Sequence, residues 1–298
     1  MHGRWVGIDC GYSQMTVAVV DVGAGVVALE RTREPSGDGH SCGVALARLH
    51  TLLGRLRGAR HEPASLAGYC YTHSGVVEAF REAGWSIEGC MALNDVVGFY
   101  GLTEMRGNAL VGGCGSFDQV VYVSHDNNVQ WPGDDLSAEL PRWLLSGREY
   151  AAFLVDLAGR DAESRVAWLA QAVSDTLGGQ NLESSDGRWG QLGPLLTKLL
   201  DHPAVGHFIA DAADSVAQTR LVFQRHLGLS EPPAVILGGG AVSDEGLCSM
   251  LSAELESRGT VVTLARGEPA IGLARFALRN PGADAWSYVG REKPSWLS

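Results

Sequence analysis

Lysine is nearly absent from this sequence: Lys198 and Lys293 are the only two, and neither follows a glycine-rich loop. That excludes a P-loop nucleotide site, which needs a Gly-Lys-Ser/Thr ending. Cys-x-x-Cys pairs are missing as well. The six cysteines, Cys10, Cys42, Cys70, Cys90, Cys114 and Cys248, are scattered, so neither zinc nor an iron–sulfur cluster is indicated and free buried thiols are expected. There is no run of about 18 apolar residues, and Arg4 leads directly into a strand pattern without a signal-peptide stretch. The expectation is a cytoplasmic protein without a membrane partner. Positive charge is also scarce. With 34 acidic against 23 basic residues and a net charge of −11, the chain is ill suited to a nucleic-acid backbone. No interleaved aromatic and basic stripe offers a single-stranded platform either.

What is present suits a two-domain globular protein: 298 residues, 45% hydrophobic, enough to bury a substantial core. The organising stretch is residues 6–21. It reads as a strand ending in Asp9, a tight turn at Gly11-Tyr12-Ser13-Gln14, and a second strand returning antiparallel. A carboxylate at a strand end, followed by a turn whose N–H groups can converge on an anion, suits a metal–nucleotide phosphate site. A glycine in a tight hairpin needs no ligand, however.

The alternation of apolar residues predicts strands at 4–9, 15–21 and 26–31, a helix from Val44, a strand at 66–71, a helix from near Ser74, and a strand at 86–92. Asn94-Asp95 then opens a helix. A strand at 109–111 empties into Gly112-Gly113-Cys114-Gly115-Ser116, and another returns over 117–123, so the opening device recurs. Helices are expected at 138–158, 162–177, 190–200 and 203–228. The wholly apolar strand 234–237 runs into Gly238-Gly239-Gly240, a helix starts near Ser243, and a last strand and a proline-led helix occupy 261–265 and 269–277. The tail from Asn280 shows no element. Three glycine-rich strand ends permit close backbone approach to a phosphate or nucleoside.

The series Gly7-Ile8-Asp9-Cys10-Gly11-Tyr12-Ser13, Asn94-Asp95, Gly113-Cys114-Gly115-Ser116, Ile236-Leu237-Gly238-Gly239-Gly240 and Glu268-Pro269-Ala270-Ile271-Gly272 resembles the acetate and sugar kinase/Hsp70/actin superfamily. Within it, the chain is similar to the N-acetylglucosamine kinase and BadF/BadG-type ATPase branch, over nearly its whole length. The resemblance implies an α/β fold of two ribonuclease-H-like (actin-like ATPase) domains, here 1–108 and 109–298, with nucleotide and substrate in the cleft between them and with the C-terminal tail free to return to the first domain.

The resemblance further implies ATP and Mg2+ as cofactors and a small-molecule hydroxyl as phosphoryl acceptor. Asp9 would hold the metal through water, and Gly11, Tyr12, Ser13 and Gln14 would face the outer phosphates. Gly113, Cys114, Gly115 and Ser116 would form a second phosphate turn. Gly238, Gly239 and Gly240 would line the adenosine, with Gly272 near it. Asp95 would be the catalytic base, a carboxylate that takes the acceptor hydroxyl's proton; the competing role for Asn94-Asp95 is simply to cap the following helix. Asn94, Asp38, His40, Ser41, His73 and Asp118 are the other polar groups expected near the acceptor.

Three departures stand out. Ser13-Gln14 replaces the usual Thr-Lys, Cys114 replaces a threonine, and the usual sugar-contacting Gly-Asp-Glu-Gly-Ser falls at Ser146-Gly147-Arg148-Glu149-Tyr150. Arg148 offers donors where the family offers acceptors, and so suits a carboxylate or phosphate. The expected function is an ATP-dependent kinase acting on a sugar, aminosugar or sugar-like hydroxyl. The alternatives are a BadF-type ATPase activator and a non-catalytic nucleotide- or sugar-binding regulator. A homodimer stays open.

Overall fold

The computed structural model describes residues 3–11, 14–23, 25–32, 42–68, 73–114, 119–160, 167–178, 192–284 and 287–292. The chain divides into two compact units. The first comprises Met1–Gly107, Val123–Val129 and Gly267–Ser287; the second comprises Asn108–Tyr122, Gln130–Arg266 and Tyr288–Ser298.

In chain order the described elements are β1 (Arg4–Cys10), β2 (Met15–Asp21), β3 (Gly25–Thr32), α1 (Cys42–Arg55), β4 (Ala64–Gly68), α2 (His73–Glu82), β5 (Ile87–Met91) and α3 (Asp95–Gly101). Then come β6 (Ala109–Gly113), β7 (Val120–Val123), β8 (Val129–Pro132), α4 (Asp134–Glu139), α5 (Gly147–Arg160), α6 (Ala167–Leu177), α7 (Gly193–Thr197) and α8 (Pro203–Leu227). The last are β9 (Ala234–Gly238), α9 (Glu245–Ser257), β10 (Val262–Ala265), α10 (Pro269–Arg279) and β11 (Ser287–Val289).

The first sheet has the order β3-β2-β1-β4-β5, and the second has β10-β9-β6-β7-β8-β11. Read from the β8 side, the second repeats the first strand for strand, with β11 added beyond β8. The parallel pairs repeat too: β1 with β4 and β4 with β5 in one sheet, β6 with β9 and β9 with β10 in the other. The repeated strand–glycine–strand device in the sequence is therefore the trace of a repeated sheet topology.

Strand alternation sends successive side chains of β1 to opposite faces. Val6 and Ile8, with Val17 and Val19 of β2, join Leu49, Leu52 and Leu53 of α1 and Phe80 of α2 in the core of the first unit. The other face carries Gly7 and Asp9 on β1, whose cross-strand partners on β2 are Ala18 and Thr16. These small and polar groups meet α10, which lies along β1, β2 and β4 and against α3. The approach is closer than side chains allow. A Cβ on Gly7 would overlap the Ala270 carbonyl, and one on Gly272 would overlap the Gly98 carbonyl of α3.

In the second unit, Leu110, Val235 and Leu237 of the central strands pack with Phe208, Ile209, Ala212, Val216 and Phe223 of α8. Among the described residues, no helix is long and apolar enough to cross a membrane.

Several sequence expectations need correction. The helix expected at 138–158 is two helices, α4 and α5, because Leu140 takes an extended conformation ahead of Pro141, which disfavours helical geometry in the residue before it. The helix expected over 190–200 is the short α7. The helix expected near Ser243 is α9, which begins at Glu245 after a 3-10 turn over Gly240–Ser243 and is capped by Asp244, whose carboxylate accepts a hydrogen bond from the Leu247 N–H. The tail does contain an element, β11, which pairs with the edge strand β8.

Two glycine substitutions test the packing account. Gly272→Ala forces a methyl group into backbone and should cost about 1–3 kcal/mol or more. Gly206→Ala, within α8 and with open space around its Cβ position, should gain roughly 0.5–1 kcal/mol. Denaturant unfolding of the two variants checks both signs.

Candidate functional site

The first unit places four polar side chains on one rung-and-helix arrangement. β1 and β2 pair Asp9 with Thr16, and β2 and β3 pair Thr16 with Arg31, so the three residues stand side by side across the sheet, on the face covered by α10. Glu268 is the residue immediately before α10, held there because Pro269 occupies the first helical position, where its missing N–H is no loss. The Thr16 hydroxyl donates to Glu268 Oε2 at 3.3 Å, and Arg31 forms an ion pair with Glu268 through Oε1.

Asp95 enters the group from α3. Asn94, buried, is the N-cap: its Oδ1 accepts a hydrogen bond from the Val96 N–H at 2.9 Å. The capping role is thus met by Asn94, while Asp95, at the first helical position, shares the same N–H at 3.0 Å. A carboxylate in the first turn also gains from the helix dipole.

Asp9 is buried, and no hydrogen-bond donor or cation pairs with its carboxylate among the described residues. Burial pushes its proton affinity well above the ordinary carboxylate range, and the facing carboxylates of Asp95 and Glu268 push it further the same way. Burial also raises Asp95, against the opposing pull of the Val96 N–H. A buried, unpartnered carboxylate facing two others is a site that a cation would relieve. Among the described residues, no group of three or more His, Cys, Asp and Glu side chains is arranged to hold a metal on its own. Mg2+ typically uses one or two carboxylates and completes its shell with phosphate oxygens and water.

The second unit carries the other glycine strand ends. Gly113 of β6 pairs with Gly238 of β9, and the Cys114 N–H donates to the Gly238 carbonyl at 2.6 Å. Gly239 has φ of +120° and a Cβ position 2.8 Å from the Cys114 carbonyl, so both conformation and space demand glycine there. Trp143 braces this end through its indole N–H, which donates to the Gly113 carbonyl at 3.0 Å. The Cys114 side chain turns into the core of the unit, where burial and the neighbouring Cys248 raise its thiol pKa. Of this turn's described residues, Gly113 and Cys114 leave only backbone groups at the strand end. Gly240 is open at its Cβ position.

No family model and no curated protein matches the sequence. Solved structures do. The proposed N-acetylglucosamine kinase of Porphyromonas gingivalis superposes with a TM-score of 0.64 at 14% identity, covering 94% of this chain and all (100%) of its own. A ROK-family transcriptional regulator homologous to the E. coli MLC protein gives 0.59 at 11%, with 93% and 78% covered. A ROK-family glucokinase from Streptomyces griseus, solved with glucose and AMPPNP, gives 0.58 at 11%, with 92% and 98% covered. The chain has the sugar kinase/actin-like ATPase fold.

Within that fold, Asp9 and Asp95 come together in the first unit, and Gly113, Cys114, Gly238, Gly239 and Gly240 come together in the second. Gly11 and Gln14 flank the β1–β2 turn. The missing side chain of Gly272 is accounted for by the contact with Gly98. Arg148 is exposed on α5, whereas its neighbour Glu149 is buried and accepts from Arg142 Nε at 2.8 Å. Tyr12, Ser13, Asp38, His40, Ser41, Gly115, Ser116 and Asp118 lie outside the described residues, as does the side chain of His73.

Sequence reasoning missed Thr16, Arg31, Glu268 and Glu149. Thr16 could have been found once a four-residue turn had set the hairpin register. A glutamate just before a helix-initiating proline was the signal for Glu268.

A pKa raised in the folded state means that the native protein holds the proton more tightly than the unfolded chain, so stability falls as pH rises between the two values. Asp9→Asn should therefore stabilise the protein at pH 7, by about 1–3 kcal/mol. The gain should disappear below about pH 4, where both forms are neutral. Thermal unfolding of both proteins across that range checks it.

Proposed function

We propose that this protein is an ATP-dependent kinase that transfers the γ-phosphoryl group to a hydroxyl of a sugar, aminosugar or sugar-like small molecule. The observation that carries this reading is the meeting of Asp9, a buried carboxylate with no partner among the described residues, and Asp95, which shares the Val96 N–H with the N-cap Asn94, within a sugar kinase/actin-like ATPase fold. The glucokinase with this fold, solved with glucose and AMPPNP, supports ATP and a sugar as the ligand classes.

On this reading Asp95 orients the acceptor hydroxyl and takes its proton as the oxygen attacks the γ-phosphorus. The new P–O bond forms while the bond to the β-phosphate oxygen breaks, and ADP leaves. The raised proton affinity of Asp95 brings its basicity nearer to working pH, which favours a general base. Asp9 would hold Mg2+, which when bound supplies neutralisation of charge on the outer phosphates. The backbone at Gly11 and Gln14 would face those phosphates, and the backbone at Gly238, Gly239 and Gly240 would line the adenosine.

The acceptor is where this chain departs from the family pattern. Exposed Arg148 and buried Glu149, which accepts from the exposed Arg142, occupy the segment that carries acceptor contacts in the resembled family, and Arg148 favours an acceptor with more than hydroxyl groups to offer.

A hydroxyl-acceptor screen followed by ADP release tests the reading, with Asp95→Asn as the control. The expected outcome is turnover with at least one sugar-like acceptor, reduced roughly 10²–10⁴-fold in Asp95→Asn, with AMPPNP binding retained. Unchanged turnover in that variant would sink the role of Asp95. Nucleotide or sugar binding without phosphorylation of any acceptor would favour the non-catalytic regulator; a ROK-family transcriptional regulator is among the structures with this fold.

A further inference from the structure

A kinase site of this construction has an unresolved charge balance. Asp95 and Glu268 both act electrostatically on Asp9, and a nucleoside triphosphate adds more negative charge. Of the two lysines, Lys198 belongs to the second unit and Lys293 lies outside the described residues. The turn after β1 ends in Gln14, a neutral amide. Among the described residues, the one cation found in contact with this carboxylate group is Arg31.

Its placement follows from register. Arg31 pairs with Thr16, which pairs with Asp9, so its backbone stands two strand spacings, about 10 Å, from that of Asp9. Its side chain keeps 36% of its surface open, and its guanidinium is directed towards the carboxylates by the ion pair with Glu268. Glu268 is in turn fixed by the Thr16 hydroxyl and by Pro269 at the head of α10. A guanidinium held in this way presents a planar fork of donors suited to two phosphate oxygens.

We propose that Arg31 is the phosphate-binding cation of the first unit, stored on Glu268 in the absence of nucleotide and transferred to the outer phosphate oxygens when a nucleoside triphosphate binds. This rests on the kinase reading of the same site. Glu268 is then a positioning residue: it aims the guanidinium but yields it to the more highly charged phosphate.

The test is calorimetric binding of Mg·AMPPNP and of adenosine to the full chain, comparing wild type with Arg31→Gln, Arg31→Lys and Glu268→Gln. Arg31→Gln should weaken AMPPNP binding about tenfold or more and leave adenosine binding unchanged. Arg31→Lys, which keeps the charge but not the fork, should recover part of the loss. Glu268→Gln, which removes a carboxylate competing for the guanidinium, should bind AMPPNP at least as tightly as wild type. Equal AMPPNP binding by wild type and Arg31→Gln overturns the proposal and leaves the kinase reading standing. So does a parallel loss of AMPPNP and adenosine, which marks a structural role for Arg31. Wild-type protein that binds neither ligand overturns both.

Discussion

The close approach of α10 to α3 and β1 is the constraint on which the first unit depends. Backbone meets backbone there because Gly7, Gly98 and Gly272 carry no side chain to keep the elements apart. The consequence is chemical as much as structural. Asp95 stands at the head of α3 and Glu268 at the head of α10, so the distance between the helices and the strand decides how near these two carboxylates come to Asp9 at the end of β1. Replacing one glycine by a larger residue would move a charged group as well as open a gap. The packing of small residues and the convergence of charged ones are one arrangement.

That arrangement holds unfavourable electrostatics in place. Three carboxylates share a partly desolvated face, and one of them, Asp9, has nothing among the described residues to offset its charge. Folding is bought elsewhere, by the apolar face of the same sheet, where Val6, Ile8, Val17 and Val19 pack with α1 and α2. Alternation along one strand therefore separates the two faces at single-residue spacing: Val6 and Ile8 build the core, while Gly7 and Asp9 lie on the face covered by α10.

The second unit repeats the sheet but uses it differently. Its central strands also end in glycines, yet the side chain at the first turn, Cys114, points inward among Tyr150 and Cys248, and what remains at the strand end is backbone. Among the described residues, the strand ends thus differ: carboxylates and a guanidinium in the first unit, peptide groups at Gly113, Gly238 and Gly239 in the second.

Much of this was legible in the sequence. Strands and glycine turns are local: apolar alternation and φ-permissive residues act within a few positions, so the ends of β1, β6 and β9 and the place of Asp9 could be read directly. Leu140-Pro141 even carried the break between α4 and α5, although the apolar spacing on either side obscured it. β11 left no such trace, because a three-residue strand has no periodicity of its own and exists only where an edge accepts it. The tertiary structure alone decided which polar groups meet. Thr16 and Glu268 are 252 residues apart in the chain, and Arg31 reaches them only through the register of two strand pairs. Sequence determines what each residue can do and the local shape around it, whereas contacts closed over such separations depend on strand register and helix packing that no local pattern encodes.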